Sequence, residues 1–310
     1  MEYRALGRTG VDVSRVILGC GNFGGIGSAP AFFGHGESRE EAFELMDAAW
    51  AAGITTFDTA DAYGGGRSET YIGEWIRSRR LRPVLTTKTF NPMSEGADHG
   101  LSRERIGRQL DSSLERLGVD SIELYLAHEM DPSTPLEETT AALDELTAAG
   151  KIGAWGGSNV DAAWIEAARP AFVQNSYSLL DRADEQDVLP VCAREGVGYA
   201  PFGPLAGGWL TGKYRRDEEP PAGSRMTMRP EPYEHLRRDE VFDALETFER
   251  RADERGTTPA ALAIAWLLAQ PQVSAVVIGP RRPEHLRPAL DAVALDLSPV
   301  ERDALAGLFP

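Results

Sequence analysis

Four ionisable residues stand at or just after the ends of short apolar runs in this sequence: Asp58, Tyr63, Lys88 and His128. Lys88 closes the run 84–87, and it needs a partner because an unpaired buried charge is strongly destabilising. Asp58 is the natural partner. An ammonium beside a phenol favours the phenolate, so it is expected to lower the pKa of Tyr63 towards the working range of a general acid. His128 could orient a carbonyl or share the proton, and the combination predicts proton-transfer chemistry.

Each of these residues also has an interpretation without catalysis. A strand-end aspartate often caps a turn, and a loop tyrosine is often a surface aromatic. A single lysine can be solvated, and a single histidine is often a packed core or surface residue. Lys88 could instead be the desolvated nucleophile of a Schiff-base lyase. Asp58 beside it would keep the amine protonated, which argues against that alternative.

Eight repeats of a short apolar run followed by a segment of helical period must position these side chains. The runs are nearly all apolar rather than alternating, which is typical of parallel strands covered on both faces. The predicted strands cover residues 16–19, 56–58, 84–88, 122–127, 154–158, 172–176, 198–200 and 273–279. The predicted helices that follow them cover residues 39–52, 68–77, 102–117, 135–149, 161–168, 187–194, 239–255 and 283–290.

Eight such units without a break in composition predict an α/β protein, a single-domain (β/α)₈ TIM barrel over residues 1–310. A doubly wound sheet is the alternative. Residues 19–24 fit the letters of a Gly-x-Gly-x-x-Gly motif, but no helix opens there, so the match is weak. Residues 3–6 and 11–14 predict an N-terminal β-hairpin at the barrel bottom. Residues 203–238 predict a long loop after strand 7, and loops of that length are usually functional.

Composition disfavours several classes of function. The 310 residues are 42% hydrophobic and 26% charged, as in soluble globular proteins. The net charge of −16 argues against nucleic-acid and membrane partners. Cys20 and Cys192 are too few for a disulfide framework, so a cytoplasmic location is expected. The first residues do not read as a signal peptide, and the longest apolar run, 260–269, is too short to cross a bilayer. No metal site is predicted.

A longer set of motifs resembles the signature of the aldo-keto reductases. The matching segments are Phe57–Gly64, Arg67–Glu69, Thr87–Thr89, Leu124–His128, Gly157–Asn159, Val173–Leu180, Tyr199–Phe202 and Leu210–Tyr214. They follow one another in order along nearly the whole chain. The resemblance implies a TIM barrel that binds a nicotinamide dinucleotide without a Rossmann domain. It also implies reduction of an aldehyde or ketone by hydride transfer, or oxidation of the corresponding alcohol or sugar.

The resemblance assigns a role to each of the four ionisable residues. Tyr63 would supply the proton as general acid/base, and Lys88, paired with Asp58, would tune it. His128 would position the carbonyl and donate a hydrogen bond to the developing alkoxide.

The same resemblance implies a cofactor site. Its residues are Asp58, Ser158, Asn159, Gln174, Tyr199, Pro201, Gly203, Leu205, Gly207, Lys213, Gly279, Arg281 and His285. Ser158, Asn159 and Gln174 would hold the carboxamide, and Tyr199 would stack on the nicotinamide. The glycines and Lys213 suit a pyrophosphate.

The segment expected to bind the adenosine end of the dinucleotide departs from the family pattern. Arg281 and Arg282 could pair with a 2′-phosphate, which predicts NADP. His285 stands where the family usually has Arg or Gln, and Pro288–Ala289 replaces a common Glu-Asn pair, so NAD remains possible.

The substrate pocket is expected to be a mixed aromatic mouth. The residues singled out, beside Tyr63 and His128, are Phe23, Ile26, Phe32, Phe33, Phe90, Met93, Met130, Trp209 and Tyr233. Such a mouth admits small carbonyl compounds, steroids or sugars, and its composition does not choose among them. A nucleotide-sensing binding subunit, as in the related potassium-channel β subunits, is the alternative to an enzyme. Reaction direction and oligomeric state, monomer or homo-oligomer, are left open.

Overall fold

Eight parallel strands form the centre of the protein, as a computed structural model of residues 1–310 shows. They are β3 (Val16–Gly19), β4 (Thr56–Asp58), β5 (Val84–Thr89), β6 (Ile122–Ala127), β7 (Ile152–Ser158), β8 (Phe172–Gln174), β9 (Gly198–Tyr199) and β10 (Val276–Ile278). Consecutive strands pair from β3 to β9, and β10 pairs with β3. The ring closes where the Val277 N–H donates to the Pro201 carbonyl at 2.9 Å. The predicted (β/α)₈ barrel is confirmed.

Helices connect the strands and cover the outside of the barrel. They are α1 (Arg39–Ala51), α2 (Arg67–Arg79), α3 (Arg103–Leu117), α4 (Leu136–Ala148), α5 (Ala162–Ala168), α6 (Val188–Glu195), α7 (Arg225–Met228), α8 (Asp239–Glu254), α9 (Pro259–Leu268), α10 (Arg287–Val293) and α11 (Pro299–Ala306). Local sequence explains their ends: Ser38 and Glu41 form a capping box on α1, and Gly118 ends α3 in the left-handed region at φ 68°. None of the helices combines the length and apolarity needed to span a membrane.

Two layers of core explain why the strands are apolar on both faces. On β3, Ile17 belongs to a cluster of ten buried residues inside the barrel, whereas Val16 and Leu18 belong to a cluster of 64 that includes the helices. Successive side chains of a strand point to opposite faces, so one strand can contribute to both layers. The barrel interior is therefore packed, and a ligand of the barrel is expected at its mouth.

The N-terminal hairpin has the predicted antiparallel form. Its strands are β1 (Tyr3–Ala5) and β2 (Asp12–Ser14). Leu6 and Val13, beside and within these strands, are buried in the inner cluster. Gly7 lies directly against the backbone of Gly198, where β9 begins. The hairpin thus covers the barrel end at which the strands start, opposite the mouth.

The helix pattern is interrupted after β9, where a long loop was predicted, and after β10, where it was not. The long segment 203–238 contains only α7 and two 3₁₀ stretches, Ala206–Thr211 and Glu231–Leu236. The helix expected at 283–290 is instead a 3₁₀ turn, Pro283–Leu286, followed by α10.

Candidate active site

A cavity of about 800 Å³ opens where the barrel strands end. Asp58, Tyr63 and His128 line it, and so do Arg281 and His285, which follow the last strand. Parallel strands bring their carboxyl ends to one mouth, so residues far apart in sequence meet there. The volume is in the range of sites that enclose a cofactor or a drug-sized ligand.

A buried ion pair forms the floor of the cavity. The Lys88 Nζ donates to Asp58 Oδ2 at 2.6 Å and to the Thr59 carbonyl at 2.8 Å. Asp58 Oδ1 accepts a second bond from Gln174 Nε2 at 2.8 Å, so both carboxylate oxygens have partners. Burial alone would lower the pKa of Lys88, but Asp58 and Tyr63 outweigh it and the pKa is raised. Lys88 is therefore a cation, which does not suit a Schiff-base nucleophile.

Tyr63 lies between this cation and His128. Its hydroxyl is 3.5 Å from His128 Nε2, and Lys88 Nζ is 5.0 Å from the centre of its ring. Burial raises the pKa of Tyr63 above its ordinary value, and Lys88 opposes that shift only in part. The sequence predicted a lowered pKa for Tyr63, and this prediction is wrong for the protein without a ligand. Tyr63 keeps its proton at neutral pH, as a general acid requires.

His128 is neutral at the same pH. Burial and the Lys88 cation lower its pKa well below the ordinary value. A neutral imidazole has one ring N–H and one acceptor nitrogen. The neighbours of His128 decide which of its two nitrogens carries the proton.

Asn91, a neighbour of His128, was missed by the sequence reasoning. Its Nδ2 lies 3.3 Å from His128 Nδ1. The Arg105 Nη2 donates to the Asn91 carbonyl at 2.7 Å, and Arg105 Nη1 donates to Thr89 Oγ1 at 2.8 Å. Asn91 follows β5 closely enough to be counted with the strand-end residues, which is the signal that could have found it.

The loop that carries Tyr63 is held by buried polar contacts. The Asp61 N–H donates to the Lys88 carbonyl at 3.0 Å, and Asp61 Oδ2 accepts from Thr89 Oγ1 at 2.7 Å. Burial raises the pKa of Asp61 to about 7. Gly64 follows Tyr63 at φ 60°, in the left-handed region that favours glycine.

Most residues expected to bind a cofactor line the cavity. They are Asp58, Ser158, Asn159, Gln174, Gly203, Leu205, Gly207, Lys213, Gly279, Arg281 and His285. Asn159 adopts φ 55° and donates from Nδ2 to the His128 carbonyl at 2.9 Å, which ties it to the His128 end of the cavity. Gly207 and Gly208 have positive φ, and the Lys213 ammonium lies directly against Gly208 without a carboxylate partner.

Tyr199 and Pro201 do not line the cavity, contrary to expectation. Tyr199 is fully buried in the outer core layer, and its hydroxyl donates to Asp184 Oδ2 at 2.6 Å. It cannot stack on a ring bound at the mouth. Phe202, farther along the same segment, lines the cavity instead.

Some of the predicted substrate residues line the cavity and others do not. Phe23 and Trp209 each expose only 1% of their surface, because both are packed in the outer core layer. Phe90 packs edge-on against His99, with ring centres 5.9 Å apart. The predicted residues that do not line the cavity are Phe23, Phe32, Phe33, Phe90, Met93, Met130 and Trp209. Ile26 and Tyr233 do line it.

The part of the cavity that is expected to bind adenosine contains an ion pair that the sequence did not reveal. Arg281 Nε lies 2.6 Å from Glu37 Oε1, and Arg281 Nη1 lies 3.4 Å from the Gly223 carbonyl. Arg282 is 3.9 Å from the exposed Glu284. His285 Nδ1 accepts the N–H of Arg281 at 3.3 Å.

Comparison with known proteins agrees with this architecture. The sequence matches the model of the aldo/keto reductase family over residues 15–308. The NADH-specific methylglyoxal reductase of Escherichia coli (strain K12) is 33% identical over 96% of this chain and 95% of that protein. A putative voltage-gated potassium channel subunit beta of Schizosaccharomyces pombe is 34% identical over 94% of this chain and 88% of that protein. The structure of the glycerol dehydrogenase AKR11B4 from Gluconobacter oxydans aligns with a TM-score of 0.84 at 26% identity, covering 99% of this chain and 94% of that one. The chain therefore belongs to the aldo/keto reductase family and is an oxidoreductase of aldehydes and ketones or of the corresponding alcohols and sugars.

Proposed function

We propose that this oxidoreductase reduces the carbonyl group of a small aldehyde, ketone or sugar at the Tyr63 end of the cavity, with Tyr63 as the general acid. The same residues serve the reverse reaction, in which Tyr63 accepts the proton of an alcohol. The observation that carries the proposal is the contact of Tyr63 with His128 above the buried pair of Lys88 and Asp58.

The residues at the mouth fit a nicotinamide dinucleotide. Polar groups of Ser158, Asn159 and Gln174 lie at its catalytic end, and Phe202 offers an apolar face there. The Lys213 ammonium beside the positive-φ glycines suits a pyrophosphate. When bound, the reduced nicotinamide supplies a hydride to the carbonyl carbon.

The protein's part in the reaction is to bind the carbonyl oxygen and deliver a proton to it. The Tyr63 hydroxyl and an N–H of His128 are two donors that can converge on one oxygen, because the groups lie 3.5 Å apart. As the oxygen gains charge, Tyr63 transfers its proton to it. The Lys88 cation stabilises the tyrosinate left behind, and Asp58 keeps Lys88 protonated.

Asn91 is proposed to fix the orientation of this second donor. With the Asn91 amide nitrogen donating to Nδ1, the proton of neutral His128 must sit on Nε2, the nitrogen that faces Tyr63. We expect Asn91→Leu to lower kcat/KM for carbonyl reduction about tenfold, because the proton of neutral His128 can then move from Nε2 to Nδ1 and the second donor to the carbonyl oxygen is lost. The affinity for the dinucleotide is expected to stay the same. Histidine-selective ¹⁵N NMR of the wild type should show the Nε2–H tautomer for His128, and an Nδ1–H tautomer would contradict the assignment.

NADP(H) is proposed as the cofactor because Arg281 lines the cavity and Arg282 follows it in the chain. We expect Arg281→Ala to raise the KM for NADPH about fivefold, and that for NADH less, because only NADPH carries a 2′-phosphate. Steady-state kinetics with both cofactors measures the difference. Arg287→Ala is the matched control, since Arg287 pairs with Asp291 outside the cavity. Equal effects of Arg281→Ala on both cofactors would locate the 2′-phosphate contact elsewhere.

A binding subunit is the second candidate function, favoured by the similarity to a protein named as a potassium channel β subunit. Stopped-flow mixing of the protein with NADPH, followed by a panel of aldehydes, ketones and sugars, distinguishes the two. A fluorescence change with turnover supports the reductase. Binding without turnover across the panel, in both directions and with both cofactors, would overturn it in favour of the subunit.

A further inference from the structure

The buried carboxylate of Glu37, behind Arg281, has no role in the chemistry described above. We propose that Glu37 is a specificity-determining residue that weakens the attraction of Arg281 for a 2′-phosphate and so narrows the preference for NADP(H) over NAD(H). This inference rests on the proposed function, because it requires the adenosine end of a dinucleotide to bind beside Arg281.

Glu37 is held in a fixed position. Its side chain is only 3% exposed, and Oε1 accepts from Arg281 Nε at 2.6 Å. Its N–H donates to the Asn22 carbonyl at 2.8 Å, and its own carbonyl accepts from the Gly24 N–H at 2.9 Å. The second carboxylate oxygen, Oε2, is buried without a hydrogen-bond partner. The carboxylate is thus anchored by its backbone as well as by the arginine.

The contact occupies part of the surface with which an arginine recognises phosphate. A guanidinium binds phosphate best through two parallel N–H groups. Glu37 takes the Nε–H of Arg281, and the Nη1 group faces the Gly223 carbonyl at 3.4 Å. Only Nη2 makes no hydrogen bond within the protein. A phosphate can therefore reach Arg281, but not through its Nε side.

Further carboxylates lie near the two arginines that follow β10. Arg282 has Glu284 at 3.9 Å. The pKa of Glu41, on the first turn of α1, is lowered mainly by hydrogen bonds from Ser38 and further by Arg281 and Arg282. Lys213, at the glycine-rich part of the cavity, has no such carboxylate partner. The Lys213 charge is thus free near the expected pyrophosphate, whereas Arg281, near the expected adenosine, has a carboxylate partner.

The physical consequence depends on the charge of the ligand. A 2′-phosphate attracted by Arg281 is repelled by the carboxylate behind it, and the burial of Glu37 limits screening of that repulsion by solvent and salt. A 2′-hydroxyl carries no charge, so the affinity for NAD(H) is insensitive to Glu37. Removing the negative charge is therefore expected to change binding of one dinucleotide and not the other.

Glu37→Gln tests this directly, because its amide oxygen can still accept the Arg281 Nε–H. We expect the Kd for NADPH, measured by tryptophan fluorescence without substrate, to fall about tenfold, and that for NADH to change less than about twofold. Adding Arg281→Ala to this variant should abolish the gain. Glu284→Gln is the matched control, since its carboxylate is exposed, and it should alter both Kd values less than about twofold.

A loss of NADPH affinity in Glu37→Gln, instead of the expected gain, would contradict the inference. If Glu37→Gln weakens NADPH binding or leaves the ratio of the two Kd values unchanged, Glu37 merely anchors Arg281 and the inference is wrong. If circular dichroism shows that the variant does not fold, the salt dependence of Kd in the wild-type protein tests the inference instead. A partly compensated arginine predicts that salt raises the Kd for NADPH less than about twice as steeply as that for NADH, and a steeper dependence would contradict the proposal. A wild type that binds neither dinucleotide would instead overturn the proposed function.

Discussion

Tyr63→Phe is expected to lower kcat for carbonyl reduction about a thousandfold, because it removes the proton donor and little else. The ring, its packing against His128 and its distance from Lys88 are unchanged by the loss of one hydroxyl. The Kd of the dinucleotide should therefore change less than about twofold. Steady-state kinetics and fluorescence titration of the same preparation measure the two quantities.

Tyr71→Phe is the control for this experiment, since Tyr71 lies on α2 outside the cavity. It should leave kcat unchanged. A Tyr63→Phe variant with wild-type turnover would show that another group supplies the proton. Loss of dinucleotide affinity in the same variant would mean that Tyr63 acts in cofactor binding instead.

Lys88→Met is expected to damage both stability and activity. It leaves the buried Asp58 without its cationic partner, and breaking a buried ion pair on one side costs about 3–5 kcal/mol of the free energy of unfolding. It also removes the charge that stabilises a tyrosinate at Tyr63, so kcat should fall by at least about a hundredfold. Denaturant unfolding and steady-state kinetics measure the two effects.

A double variant separates these two effects. Asp58→Asn in the Lys88→Met background removes the unpaired charge, so most of the lost stability should return while activity stays low. If activity returned with stability, the lysine would serve only to hold the fold. If the single variant were as stable as the wild type, the fold would not depend on the buried ion pair.

The positions of Asp58, Lys88 and His128 could be predicted because barrel geometry brings strand ends to one mouth. The sequence shows where apolar runs stop, and a charged residue at that point has few other places to lie. The hairpin could be predicted for a similar reason, since two short runs flank a turn-forming segment. These are local signals that barrel geometry converts into proximity.

The errors concern the face to which a side chain points. Tyr199 and Phe202 belong to one apolar segment that is buried on both sides, so its pattern does not reveal which ring faces the mouth. Trp209 lies in the long segment after β9, where packing against the outer core rather than local pattern decides its position. Glu37 and Arg281 are 244 residues apart, and nothing in their local sequences signals that they pair.

Transfer of deuterium from a dinucleotide labelled at nicotinamide C4 tests the central claim most directly. The wild-type protein, incubated with the correctly labelled stereoisomer of NADPD or NADD and an aldehyde it turns over, should give an alcohol with deuterium on the former carbonyl carbon. The hydroxyl hydrogen should come from solvent, by way of Tyr63. An alcohol without the label for either stereoisomer would contradict direct hydride transfer at this site.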